Sequence, residues 1–164
     1  MRPSPADVAV RELISAFSAL DAGVVSERLV RSAAGLVSAS YAGFVRVDPL
    51  RESARSVCVH APAGDPLRVR PWLTESGVLK ELAASSSPVL LARDPSVGEP
   101  GFLATPVPVA TLERVFVWVA GRGFDETDEH LLGRFATAAG RALEAASGFE
   151  AAVRMLRGVQ SFRL

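Results

Sequence analysis

The chain has 164 residues, with 18 Lys+Arg balanced against 18 Asp+Glu and 49% hydrophobic residues. This is a globular composition, and a domain of this length buries roughly 70% of its extended-chain surface without a disulfide or metal staple. A formal net charge of zero and an isoelectric point near 6.7 argue against a broadly basic nucleic-acid surface, and the single cysteine, Cys58, excludes an internal disulfide and a four-cysteine zinc site.

A membrane-spanning helix needs about 20 largely apolar residues, and the uncharged stretches here are shorter. After Met1, the charges of Asp7, Arg11 and Glu12 interrupt any signal-peptide core, so a cytoplasmic location without membrane contact is expected. The chain is rich in alanine and arginine, has Lys80 as its one lysine and lacks asparagine. That usage fits a GC-rich bacterial genome and says nothing of activity.

In chain order, residues 6–37 read as two helices. Val10, Leu13, Ile14 and Phe17 form one apolar stripe, and Val25, Leu29, Ala33 and Leu36 form the next. Asp21, Ala22 and Gly23 mark the break between them. Phe44–Val47 and Val57–His60 then read as a hairpin around a polar loop at 48–55. Simple alternation puts Val57 and Val59 on one face and Cys58 and His60 on the other. Leu67–Val69 is a brief strand candidate, and Thr74 is the expected cap of a helix over about 75–84 with Val78, Leu79 and Leu82 inward. Val89–Leu91 is a short strand, and 94–101 a loop rich in Asp, Pro, Ser and Gly.

A second hairpin follows, Phe102–Val109 and Arg114–Ala120, with Val115, Val117 and Val119 on one face and Phe116 and Trp118 on the other. Asp125 is the expected N-cap of a long last helix, with Asp128 near its positive end and Leu131, Phe135, Ala139 and Leu143 as its apolar stripe. Hairpins joined by helical insertions, with the terminal helices free to pack on one sheet face, predict an α+β sandwich.

Four stretches in this order resemble the GAF domain, a small-molecule and signal-sensing module. They are "LDAGVVSERLVRSAAGLVSASYAGFVRV" (20–47), "SGVLKELAASSSPVLLARD" (76–94), "FLATPVPV" (102–109), which parallels the common "FLGVPV" strand, and "GFDETDEHLL" (123–132), which matches the frequent "F-x-x-x-D-E" entry into the last helix. The resemblance covers about 20–147. It implies a central antiparallel sheet with terminal helices on one face and a pocket covered by a helix and loops on the other. Within the family, the likeness is to GAF domains of actinobacterial sensor histidine kinases of the mycobacterial dormancy-sensor type.

The departures are specific. Some of those domains bind heme through a histidine in the loop before the "FLGVPV" strand; here that loop, 94–101, has none, and the distal tyrosine aligns with Trp118. Of the cyclic-nucleotide motif, Phe124, Asp128 and Glu129 are present, while Gly121 and Arg122 stand where Asn-Lys is found. GAF enzymes that reduce methionine sulfoxide use several cysteines; this chain has one.

On the predicted strand, Cys58 and His60 read either as ligands to a metal or heme iron, or as a small cysteine in a pocket wall and a histidine at a strand end. Besides His60, only His130 remains as a histidine. Trp72, Val78, Phe102, Phe116 and Trp118 complete the candidate pocket, either around a small ligand or as packed core. Arg93 and Arg122 are candidate anion contacts, with a solvated surface role as the alternative. No Ser-His-Asp spacing or phosphate-binding loop is present, so no catalytic residue and no enzyme activity are expected.

The expected organisation is an N-terminal helix at 1–19, a GAF domain at 20–147 and a C-terminal signalling or dimerisation helix at 148–164. The expected role is a non-catalytic sensory or regulatory domain of a two-component system, binding a small ligand or partner and relaying it through dimer helices. The alternatives are a dimerisation module with a filled pocket, and a heme-based gas or redox sensor. No cofactor is expected under the first two, and the expected partners are a second copy of the chain and an output domain or regulatory protein.

Overall fold

The structure is a computed structural model that describes residues 4–8 and 22–161. The stripe of Val10, Leu13, Ile14 and Phe17 lies outside the described residues. Five strands form one antiparallel sheet: β1 (Tyr41–Asp48), β2 (Ser53–His60), β3 (Val89–Asp94), β4 (Glu99–Val107) and β5 (Arg114–Ala120), in the order β2-β1-β5-β4-β3. Helix α1 is Ala22–Leu36, α2 Val69–Glu75, α3 Val78–Ala84 and α4 Glu126–Ser161.

The pleat divides the core in two. On one face, Val45, Phe116 and Trp118 pack with Val69, Leu73, Val78 and Leu82 of α2 and α3. On the other, Phe44, Val117 and Val119 pack with Val30 and Ala33 of α1 and with Leu132 and Ala136 of α4. Central strand β5 is therefore apolar on both sides, and its two faces are those that alternation predicts. This is the expected α+β arrangement, with α1 and α4 together behind the sheet and the short helices in front of it.

Several local expectations are corrected. The β1–β2 turn needs only 49–52, because Asp48 Oδ1 accepts from the N–H groups of Leu50 (3.0 Å) and Arg51 (3.4 Å) and closes the loop early. Leu67–Val69 is no strand: the Asp65 carboxylate accepts from the N–H groups of Val69 and Arg70, both at 2.9 Å, and so starts α2. The single helix predicted over 75–84 is two helices, broken at Gly77, whose φ of 82° is left-handed. Thr74 lies inside α2, and its hydroxyl donates to the Pro71 carbonyl at 2.9 Å.

The loop predicted at 94–101 is a tight hairpin. A 3₁₀ turn at Pro95–Val97 is capped by Asp94 and lets β3 and β4 pair as far as Asp94 opposite Glu99. Along α1 the buried stripe is Val30, Ala33 and Ala34, continued by Val37 just after the helix, while Leu36 is exposed. In α4 it is Leu132, Ala136 and Ala139, with Leu131, Phe135 and Leu143 half-buried. Both helices turn small residues to the sheet, which lets their backbones approach it closely. At Gly140, an added Cβ would stand 2.2 Å from the Pro108 carbonyl oxygen.

The N-terminus of α4 matches its predicted chemistry. Asp128 N–H donates to Asp125 Oδ1 at 2.9 Å, and Asp125 N–H donates to Asp128 Oδ2 at 3.0 Å. The helix then runs for 36 residues, about 54 Å at 1.5 Å per residue, well past the sheet it packs on.

Candidate functional site

On the front face, the aromatic residues singled out from sequence do converge. The Phe102 ring stacks on Trp118 with centroids 5.8 Å apart, and Trp72 tilts against Phe102 at 5.3 Å. Phe116 and Val78 belong to the same cluster. Phe102, Phe116 and Trp118 are each no more than 1% exposed, so their rings pack directly against α2 and α3. Trp72 is half-buried, and its Nε1 donates to Glu99 Oε2 at 3.3 Å. The Trp118 indole N–H is fully buried and has no hydrogen-bond partner.

Cys58 and His60 are not part of this cluster. Between Ala42 and Phe44 the β1–β2 register slips: Ala42 faces His60 and Phe44 faces Val57, so Cys58 and Val59 together oppose Gly43. Cys58 takes a left-handed φ of 54° at this bulge. The alternation therefore breaks, and Val57 packs with the α1–α4 core while Val59 packs with the aromatic core. Cys58 and His60 line a hollow of about 520 Å³ beside Gly23, Glu27 and Arg31 of α1. The cysteine is exposed. Among the described residues no group of three or more His, Cys, Asp or Glu side chains is placed to hold a metal ion. His130 lies on α4 beside another hollow, of about 550 Å³, with Glu126 and Glu129.

The arginine candidates separate. Arg122 is held in the fold: its guanidinium pairs with Asp128 at 3.1 Å and lies 4.8 Å from the centroid of the Phe124 ring. Arg93 sits exposed on edge strand β3.

One functional-looking element escaped the sequence reading. The segment between β2 and α2 is a strap tied to β1 by Tyr41, whose hydroxyl accepts from Leu67 N–H at 3.0 Å. Burial, with the nearby Asp65 charge adding to it, raises the Tyr41 pKa above 10.0. For Asp65, burial pushes upward, but the N–H groups of Arg70 and Val69 and the Tyr41 hydroxyl outweigh it and hold the carboxyl below 3.8. Asp65-Pro66 is readable in sequence as a turn, but its partner lies 24 residues earlier on another element, beyond the reach of any local pattern.

No family model matches the sequence, and no curated protein matches it either. Solved structures match its fold. The GAF domain of a protein assigned as a sensor histidine kinase from Pseudomonas syringae pv. tomato is 17% identical, over 92% of this chain and 95% of that one, with a TM-score of 0.55. The GAF-B domain of DevS from Mycobacterium smegmatis is 18% identical, over 78% of this chain and 96% of that one, with a TM-score of 0.52. Free methionine-R-sulfoxide reductase from Neisseria meningitidis, solved with its substrate, is 14% identical, over 90% of this chain and 96% of that one, with a TM-score of 0.54. The chain thus has the GAF fold, which serves a sensor protein in one neighbour and an enzyme in another, and the fold by itself carries no activity.

Proposed function

We propose that this chain is a non-catalytic sensory or regulatory GAF domain of a bacterial signal-transduction protein, of the kind found in actinobacterial two-component sensors. It acts on an output domain or a partner regulatory protein, and it works as a homodimer. The observation that carries this reading is the continuity of α4. Its first half is built into the sheet core through Leu132, Ala136 and Ala139, and the same unbroken helix runs on past the sheet. A change in packing at the sheet is therefore transmitted to the far end of a rigid element. The half-buried and exposed apolar residues of its distal half, Leu156 and Met155, supply a surface for a second copy.

The signal enters as a small ligand or a protein partner. A second reading, a dimerisation module with a filled pocket, is favoured by the ring stack, since Trp118, Phe102 and Phe116 occupy the space in front of the sheet. A heme-bearing sensor draws no support from His60, which stands beside α1 and apart from that stack.

Native mass spectrometry of freshly purified protein, compared with its denatured mass, tests these readings. A dimer carrying an added mass that is lost on denaturation supports the ligand-binding sensor. A bare dimer supports the filled-pocket module. A bare monomer overturns the relay through dimer helices.

A further inference from the structure

On the back of the sheet, two hollows join at Arg46 and Glu113. The larger, about 430 Å³, is walled by Phe44, Val57 and Val115 of the sheet, by Leu143 of α4 and by Ser26 of α1. The smaller, about 230 Å³, holds Arg46, Arg51 and Arg55 with Asp48, Ser53 and Glu113. The pairing register explains why they are continuous. Arg46 stands opposite Arg55 and Phe44 opposite Val57, all on one face, so the same pair of strands passes from apolar to cationic within two residues, about 7 Å.

The charges there are incompletely matched. Two guanidiniums facing each other across a strand pair destabilise the sheet unless an anion lies between or beside them. Arg46 Nε pairs with Glu113 at 3.2 Å, and Arg51 Nε lies 3.7 Å from Asp48, whose carboxylate already closes the turn. Arg55 has no ion-pair partner among the described residues. Three guanidiniums against two carboxylates leave one positive charge at the end of an apolar groove. Glu144, on the apolar part of the groove, accepts from the Ala110 N–H at 2.5 Å and keeps its own charge, so the excess positive charge is local to the Arg55 end.

We infer that this groove binds a small amphipathic carboxylate, with the apolar body between α4 and the sheet and the carboxylate on Arg46 and Arg55. At that end the Arg55 guanidinium, unpaired among the described residues, fits one negative charge, and guanidinium geometry suits a planar carboxylate. The volume lies within the range of small-molecule sites. The site is on the opposite side of the sheet from the aromatic cluster, and the inference does not rest on the sensory reading.

Isothermal titration of the full chain with decanoate, below its micellar range, tests it, with decanol as the uncharged comparison and decyl phosphate as the dianionic one. Saturable one-to-one decanoate binding is expected, roughly tenfold tighter than decanol, with decyl phosphate no tighter than decanoate. Arg55→Ala, at an exposed position that leaves the fold intact, is expected to weaken decanoate about tenfold and leave decanol unchanged. Ser26→Trp, which fills the groove, is expected to abolish both; if that variant does not fold by circular dichroism, Arg55→Ala decides. Absence of saturable decanoate binding, equal affinity for decanol, tighter binding of decyl phosphate, or decanoate affinity unchanged in Arg55→Ala each overturns the proposal.

Discussion

The Trp118 indole lies directly over the Cα of Gly43, so close that a Cβ on Gly43 would meet ring atoms Cζ2 at 2.6 Å and Nε1 at 2.8 Å. The two residues are paired across β1 and β5, and Gly43 is also the residue opposite the β2 bulge. The missing side chain at one strand position thus makes room for the largest fully buried side chain of the protein's described residues.

Gly43→Ala forces that indole to move within a packed cluster. Phe102, on which the indole stacks, is itself fully buried, so the variant is expected to lose about 1–3 kcal/mol of stability, the usual range for overpacking. Urea unfolding followed by tryptophan fluorescence measures it. A loss below about 0.5 kcal/mol would mean that the indole relaxes freely and that the stack is not close-packed.

Tyr41→Phe removes the hydroxyl that accepts from Leu67 N–H and contacts Asp65. The ring still fills its site, so the loss comes from the polar group alone. A destabilisation of about 1–2 kcal/mol is expected. Amide exchange is expected to rise at Leu67 and through the strap before α2. Unchanged exchange there would show that Tyr41 does not hold the strap.

Two carboxyls set an acid limit. Asp125 is held below 3.8 by its bond from Asp128 N–H, and Asp65 by N–H bonds that outweigh its burial. A lowered folded pKa contributes stability that is fully present above the unfolded value, here 3.8, and is lost as pH falls through the folded value. Stability measured in urea from about pH 6 to about pH 2 is expected to fall below about pH 4. Asp65→Asn combined with Asp125→Asn flattens that fall. An undiminished acid slope in the double variant would place its origin in other groups.

Cys58→Gly is expected to stabilise the protein by roughly 1 kcal/mol, because glycine adopts the left-handed φ of this bulge position without a Cβ penalty. A chemical denaturation midpoint measures the gain. Destabilisation instead would mean that the thiol contributes packing at the hollow beside α1.

Much of the fold was legible because its signals are local. The alternation of Val115–Val119 against Phe116 and Trp118 names both faces of the central strand, since a pleat has a period of two residues. Asp125 and Asp128 announce the start of α4 because both partners of the cap lie within one turn. Of the aromatic members of the candidate site, Phe116 and Trp118 follow from the same alternation. Cys58 and His60 do not join them, because one inserted residue inverts every face beyond it, and nothing in Val57–His60 marks the insertion.

The sequence by itself determined the five strands of the sheet in their order, the GAF-like pattern, the two-sided burial of β5 and the cap of the last helix. Each of these is written in residues at most a few positions apart. The tertiary structure alone decided where β2 bulges, how Tyr41 pins the strap and that Arg46 and Arg55 close one end of an apolar groove. These depend on pairing register and on contacts between distant segments, and a one-residue shift in register changes all of them at once.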